Sequence, residues 1–212
     1  ICIVDDIKVI KCGCFTKILS QSLSTTYKKH LHLLIADFNP DIIVFHYPNP
    51  FVANLLLEEL KFSKAKLIVY WHLDITRQKL LGKLFGVQNR LLLKRSYKVI
   101  ATSPNYIVGS PWLQKVREKC VVVPNCINIE RMKITPDIEK RAEKIRTANS
   151  GKIICIAVGR HTEYKGFSYL IQASKLLDNT FQIYIAGTGE LTEKLHEEAE
   201  GDKKIFFTGK VD

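Results

Sequence analysis

The 212-residue sequence contains no uninterrupted apolar run near the roughly 18 residues that cross a membrane, and no charged-then-apolar segment opens it. A membrane-spanning or exported protein is therefore not expected, and the reading is a cytoplasmic one. The six cysteines, at 2, 12, 14, 120, 126 and 155, show neither C-x-x-C zinc spacing nor the regularity of a disulfide framework. Core thiols in a reducing compartment are expected, with Cys12-Gly13-Cys14 as one close pair. A P-loop is missing, because Lys165 precedes Gly166 and no Gly-Lys-Ser/Thr follows. The dinucleotide fingerprint is incomplete as well: Gly187-Thr188-Gly189 lacks its third glycine, which disfavours a nicotinamide-dependent oxidoreductase. No zinc finger, RNA-recognition module, internal repeat or low-complexity tract is evident, so nucleic acid is not an expected partner.

What is present is a well-mixed globular chain with 46% hydrophobic residues and a net charge of +11. That surplus calls for an acidic partner, such as a phosphorylated substrate or an anionic lipid surface. Part of it is concentrated. Between Arg77 and Lys98 there are seven Lys or Arg and no acid, while Leu80, Leu84, Val87 and Leu91 share one helical stripe. The segment reads as a basic amphipathic helix, either a core helix with a cationic outer face or a lipid-binding one.

The stretch from Lys152 to Gly166 organises the rest. Ile153 to Val158 is almost wholly apolar, as in a strand covered on both faces of a parallel sheet. Gly159 ends it, Arg160 and Lys165 bracket a short polar loop, and from Gly166 onward Phe167, Leu170, Ile171, Ser174 and Leu177 repeat at helical spacing. A helix N-terminus with two cations beside it suits a phosphate or diphosphate. The same pattern also fits an ordinary strand-to-helix turn with two solvated charges.

Read in order, the chain predicts a strand over 1–10, a helix over 16–38 ended by Asn39-Pro40, and a strand over 41–45 leading into His46-Tyr47-Pro48-Asn49-Pro50. A helix over 51–61 and a strand over 66–70 deliver Trp71-His72-Leu73-Asp74. After the basic segment, a strand over 97–101 ends in Thr102-Ser103-Pro104-Asn105. A strand over 120–123 then ends in Pro124-Asn125. This is repeated β-α-β logic. The predicted organisation is one Rossmann-like domain over 1–128, a charged linker over 129–151, and a second unit over 152–212. That second unit contains strands near 153–158, 181–186 and 204–207 and an acidic helix between the last two. Three strands are few for a doubly wound domain. With Ile1 at the start and Val211-Asp212 just after a strand, a piece of a longer protein is expected.

Val158-Gly159-Arg160 with Lys165-Gly166, preceded by Val123-Pro124-Asn125 and followed by Ala186-Gly187-Thr188-Gly189 and Phe207-Thr208-Gly209, resembles family 4 of the GT-B glycosyltransferases. The stretches 71–78 and 101–106 further resemble mannosyltransferase-like members that build bacterial surface polysaccharides. The resemblance implies two Rossmann-like, doubly wound parallel-sheet domains facing a cleft, the second truncated. It implies transfer of a hexose, with mannose as a lean, from a GDP- or UDP-linked sugar to a saccharide or lipid-linked acceptor with retention. Neither a metal nor another cofactor is implied. His72, Arg160 and Lys165 take the catalytic roles. Gly159, Arg160, Lys165, Gly166, Gly187, Gly189, Glu190, Gly209, Lys210 and Val211 fall on the donor side. His46, Asn49, Asp74, Ser103 and Asn125 fall on the acceptor side or cleft, with Asn125 as a hinge. An edge histidine bonded to Asp74 is the plain structural reading of His72.

Two elements of the family pattern are not found: the glycine-rich loop after the first strand, and the acidic E-x7-E motif, expected beyond Asp212. An inactive fragment is therefore expected, located in the cytoplasm or at the cytoplasmic face of the inner membrane through residues 77–98. A noncatalytic nucleotide-binding or membrane-surface module is the alternative.

Overall fold

A computed structural model describes residues 2–18, 21–75 and 82–211. The chain divides into two compact units, Ile1–Ile127 and Asn128–Asp212.

The first unit opens with two small antiparallel hairpins, β1 (Cys2–Val4) with β2 (Ile7–Val9) and β3 (Thr16–Ile18) with β4 (Gln21–Leu23). The first replaces the single strand predicted over 1–10. Asp5 and Asp6 adopt positive φ of 48° and 62°, a conformation short polar side chains tolerate, and they fold the run back on itself. The second hairpin corrects the helix predicted over 16–38, since helix α1 runs only over Tyr27–Phe38. Ser24-Thr25-Thr26 accounts for the late start, because β-branched threonines and a serine favour extended or turn backbone over helix. Asn39, left-handed at φ 45°, caps α1 as the Asn39-Pro40 break foretells.

A four-stranded parallel sheet follows, with order β5 (Ile42–Tyr47), β6 (Lys66–Trp71), β7 (Lys98–Ala101) and β8 (Cys120–Val122). Helices α2 (Pro50–Glu59), α3 (Gly82–Arg95) and α4 (Pro104–Gly109) connect the strands. Alternate strand residues Phe45, Tyr47, Leu67, Val69, Trp71, Val99 and Ala101 form the core with Val52, Ala53 and Leu56 of α2 and Leu92 and Leu93 of α3. Burying each such side chain is worth about 1.5–3 kcal/mol. Tyr47 stacks on Trp71 at 3.8 Å between ring centroids. The other face of β5 remains open, with Ile42, Val44 and His46 exposed. Of the basic segment predicted over 77–98, residues 77–81 lie outside the described residues. Within the rest, Arg95 donates to the carbonyls of Ser63 and Ala65. Lys119 donates to those of Leu93, Lys94 and Ser96 at the end of α3, where a cation offsets the helix dipole.

The second unit begins with a 3-10 turn at Ile129–Met132 and helix α5 (Pro136–Ala148). Residues 129–151, read from the sequence as a linker, thus hold a three-turn helix. Asn149 after it donates to the Tyr184 hydroxyl of the sheet at 2.8 Å. The sheet is parallel, with order β11 (Ile205–Gly209), β10 (Phe181–Ala186) and β9 (Ile153–Val158). Helices α6 (Phe167–Ser174) and α7 (Thr192–Glu198) bury Phe167, Ile171 and Leu195 against Ile183 and Ile185. The strand read as covered on both faces is covered on one. Cys155 and Ala157 pack toward the core, while Ile156 and Val158 are 71% and 67% exposed.

Candidate functional site

In the second unit the strand ends carry a loop made mostly of backbone. β9 leaves the sheet at Gly159, and Arg160, the 3-10 turn Glu163–Lys165 and Gly166 at φ 71° lead into α6. Arg160 and Lys165 are exposed. The stem of Lys165 folds back along the start of the loop, so that a Cβ added to Gly159 would lie 3.6 Å from Lys165 Cδ. The Lys165 ammonium stands 5.5 Å from the centre of the Tyr164 ring. Two exposed cations thus flank the turn that leads into the N-terminus of α6, an end that suits an anion.

The Gly187–Glu190 turn crosses this loop at backbone contact. Gly159 N donates to Ala186 O at 3.0 Å, His161 N to Thr188 O at 3.1 Å, and Leu191 N to His161 O at 3.0 Å. A Cβ on Gly187, which sits at φ 127°, would fall 1.9 Å from Gly159 O, and one on Gly189 would fall 2.5 Å from His161 O. From the sequence these glycines either let a nucleotide approach the backbone or are plain turn glycines. The closest atoms to them belong to the neighbouring loop, and that loop is what excludes a side chain. Gly209 closes the strand end by accepting from Gly187 N at 2.7 Å, and Lys210 and Val211 follow it, both exposed. Glu190 is exposed at the end of the turn.

His161 was not singled out from the sequence. It is 1% exposed, its Nδ1 is 3.0 Å from Thr192 Oγ1, and its ring meets Phe167 and Phe207 edge-on at 5.2 and 6.0 Å. Thr192 Oγ1 in turn accepts from Gly189 N at 2.8 Å, so His161 braces the glycine turn through one hydroxyl. Its Nε2 is buried without a partner among the described residues. Burial, and then nearby His196, hold the imidazole below the ordinary histidine value. No periodicity in the sequence marks a buried histidine inside a loop.

In the first unit the strand ends carry side chains instead. His46, next to last in β5, is paired in register with Tyr70 of β6, while His72 lies two residues beyond Tyr70. His46 Nδ1 is 2.8 Å from His72 Nε2. The rings of His46, Tyr70 and His72 are nearly parallel, with centroids 4.4–5.3 Å apart and planes within 12–15°. The Tyr70 hydroxyl donates toward Val123 O and Asn125 Oδ1 at 3.4 and 3.3 Å, which fixes Asn125 against the sheet. Burial first, and His46 second, push the His72 imidazole below its ordinary value.

The plain reading of His72 as a partner of Asp74 does not hold, because Asp74 Oδ1 accepts from Trp71 Nε1 at 2.7 Å and from Ser110 Oγ at 3.0 Å. Asn49 and Ser103 are helix caps: Asn49 Oδ1 accepts from Val52 N at 3.2 Å and Ser103 Oγ from Tyr106 N at 3.1 Å, each ahead of a proline at the first helical position. A cavity of about 740 Å³ lies at the other end of β5 and β6, between His32, Asp41, Glu59 and Lys66, and none of the predicted site residues lines it. Among the described residues, no group of three or more His, Cys, Asp or Glu is placed to hold a metal ion.

Residues 138–212 match the family described as glycosyl transferases group 1. The chain is 32% identical over 171 residues to O-antigen chain mannosyltransferase C of Escherichia coli, across 80% of this chain and 44% of that protein. It is 28% identical over 200 residues to D-rhamnosyltransferase WbpZ of Pseudomonas aeruginosa, across 92% of this chain and 50% of that protein. The chain therefore spans about half the length of these relatives. Among solved structures it resembles Alr3699/HepE of Anabaena in complex with UDP, with a TM-score of 0.69 at 16% identity over 87% of this chain and 51% of that one. Fold and sequence agree: the chain has the α/β architecture of the GT-B glycosyltransferases, and its residues 138–212 carry the pattern of glycosyl transferases group 1.

Proposed function

We propose that this chain is the part of a retaining, family 4-type glycosyltransferase that binds a nucleoside diphosphate sugar in its second unit and presents an acceptor with its first. The observation that carries the reading is the cationic loop from Gly159 to Gly166. It opens onto the start of α6, is crossed by the Gly187–Glu190 turn, and lies inside the residues that match the glycosyl transferase family. When the bond from the anomeric carbon to the diphosphate breaks, its electron pair leaves with the phosphate oxygen. Arg160, Lys165 and the α6 amides would stabilise that charge more in the transition state than in the bound donor. In this reading the two cations do what a metal ion does in other transferases, and none is needed. His72 meets a sugar hydroxyl, while Glu190, Lys210 and Val211 lie toward the nucleotide.

Relatives named for O-antigen mannose transfer and rhamnose transfer support a role in polysaccharide or glycolipid synthesis, with a hexose such as mannose as donor sugar. A structural neighbour solved with UDP supports a nucleotide-sugar donor. A peripheral place at the cytoplasmic face of a membrane is favoured by α3, where Val87 and Leu91 are 58% and 52% exposed beside exposed Arg90 and Lys94. No helix among the described residues is long and apolar enough to cross a membrane.

Calorimetric titration of GDP, UDP and ADP into the chain and into an Arg160→Ala, Lys165→Ala variant tests the donor site. Micromolar binding of one diphosphate, lost in the variant, is the expected result. Absence of binding to all three by the folded chain would sink the assignment.

A further inference from the structure

His46 and His72 come from different strands, and nothing in their spacing says that they touch. The sheet register brings them together: His46 faces Tyr70 across the β5–β6 ladder, and the chain of His72 continues that ladder through His72 N to Tyr47 O at 3.2 Å. The His46 ring then lies parallel to both Tyr70 and His72, at 5.3 and 5.1 Å. Tyr70 beneath them is anchored through its hydroxyl to the chain leaving β8.

We propose that His46 is a positioning residue that fixes the ring plane, tautomer and charge of His72 for sugar transfer. This rests on the reading of the site as a glycosyltransferase. A 2.8 Å contact between Nδ1 of one imidazole and Nε2 of the other holds one proton, so one ring donates and the other offers a bare nitrogen. With Nε2 of His72 so engaged, Nδ1 is the atom left to meet a hydroxyl of the donor sugar.

The pair also resists a second proton. Two imidazolium rings side by side would repel. The Tyr70 hydroxyl is turned to Val123 and Asn125, and Asp74 Oδ1 accepts from Trp71 and Ser110 rather than from either histidine. Removing His46 takes away the like-charge neighbour and part of the cover, so the His72 value rises toward that of an ordinary histidine. A neutral His72 suits this reaction because positive charge develops at the anomeric carbon as the diphosphate leaves, and a cation beside it would raise the barrier.

The test is ring nitrogen NMR of His72 across pH in the wild type, His46→Ala and His46→Asn, together with turnover, by the full-length protein, of the nucleotide sugar whose diphosphate binds. Asparagine places its amide near the position of Nδ1 and keeps the hydrogen bond without the second titrating ring. In His46→Ala, His72 is expected to titrate at higher pH and to lose its single tautomer. The kcat should fall roughly ten- to hundredfold with little change in donor KM, and the acid limb of the rate profile should move to higher pH. His46→Asn should restore the tautomer and most of kcat. Identical His72 titration and tautomer in wild type and His46→Ala would overturn the proposal, as would an unrestored kcat in His46→Asn despite a restored tautomer. The two readings fail separately: a His72 that responds to His46 in a chain that binds donor and transfers nothing refutes the reaction and retains the pairing.

Discussion

The strand ends of the two units build their sites from different materials. In the second unit the loop after β9 and the Gly187–Glu190 turn cross at backbone distance, and side chains are excluded where they meet. In the first unit the strand ends display three parallel rings and a histidine pair. Backbone can be held to a fixed shape by hydrogen bonds that do not depend on side-chain identity, which suits the constant diphosphate part of a donor. Side chains can be exchanged on a fixed scaffold, which suits an acceptor side that differs from one enzyme to the next. The difference predicts that damage to the backbone crossing of the second unit appears first as lost folding, and damage to the ring cluster of the first as altered chemistry.

The largest effect is expected from Gly187→Ala. The new methyl would stand 1.9 Å from Gly159 O at a φ of 127°, so both the crossing and the backbone must yield, at about 3 kcal/mol or more. Gly209→Ala is the control, since it also has positive φ but nothing lies within 4 Å, and about 1 kcal/mol is expected there. Both tryptophans, Trp71 and Trp112, lie in the first unit. Hydrogen exchange in β9–β11 should therefore report the loss while the tryptophan fluorescence transition stays in place. Equal losses in the two variants would refute the crossing as the reason for glycine at 187.

Arg160→Ala with Lys165→Ala should act in the opposite way, because both side chains are exposed at the loop. Unfolding by urea should be unchanged, while diphosphate binding weakens about thirtyfold or more, as expected when two charge-assisted hydrogen bonds are removed. Weakening that vanishes at high salt in the wild type as well would mark a diffuse attraction rather than a built site.

Asn49→Ala and Ser103→Ala sharpen the comparison inside the first unit. As caps of α2 and α4, each should cost about 1 kcal/mol of stability, read by tryptophan fluorescence in urea, and leave donor KM unchanged. A change in acceptor KM at constant stability would return them to the acceptor side, where their position at the strand ends first placed them.

These residues also show what could be read in advance. The apolar strands and the Gly159–Gly166 loop were legible because each depends on local backbone chemistry, whereas Asn49 and Ser103, read as cleft residues, show their capping only once α2 and α4 are in place. The hairpins at Cys2–Val9 and Thr16–Leu23 were not, since a loose apolar pattern serves strand and helix alike until pairing selects one. The same limit hid the contact of His46 with His72, which exists only through parallel strand register, and the burial of His161, which depends on Phe167, Thr192 and Phe207 arriving from three other elements.

His161 yields the smallest expected effect and the finest test of how the second unit is held. Its folded value lies below the unfolded one, so the unfolded chain takes up a proton first as pH falls. Stability is therefore unaffected well above the ordinary histidine value of about 6.5 and declines as pH drops through it, until the folded state titrates too. His161→Leu removes that proton uptake and the unpartnered Nε2, and gives up the contact with Thr192. Near pH 8 the variant should be slightly weaker or equal, and near pH 5 it should outlast the wild type in urea, followed at the isoleucine methyls of β9 and β10. His196, stacked on Phe207 at 4.0 Å, is kept in the variant. Parallel pH profiles for the two proteins would mean that the His161 brace on Gly189 is held by shape alone, with no share in the acid sensitivity of the unit.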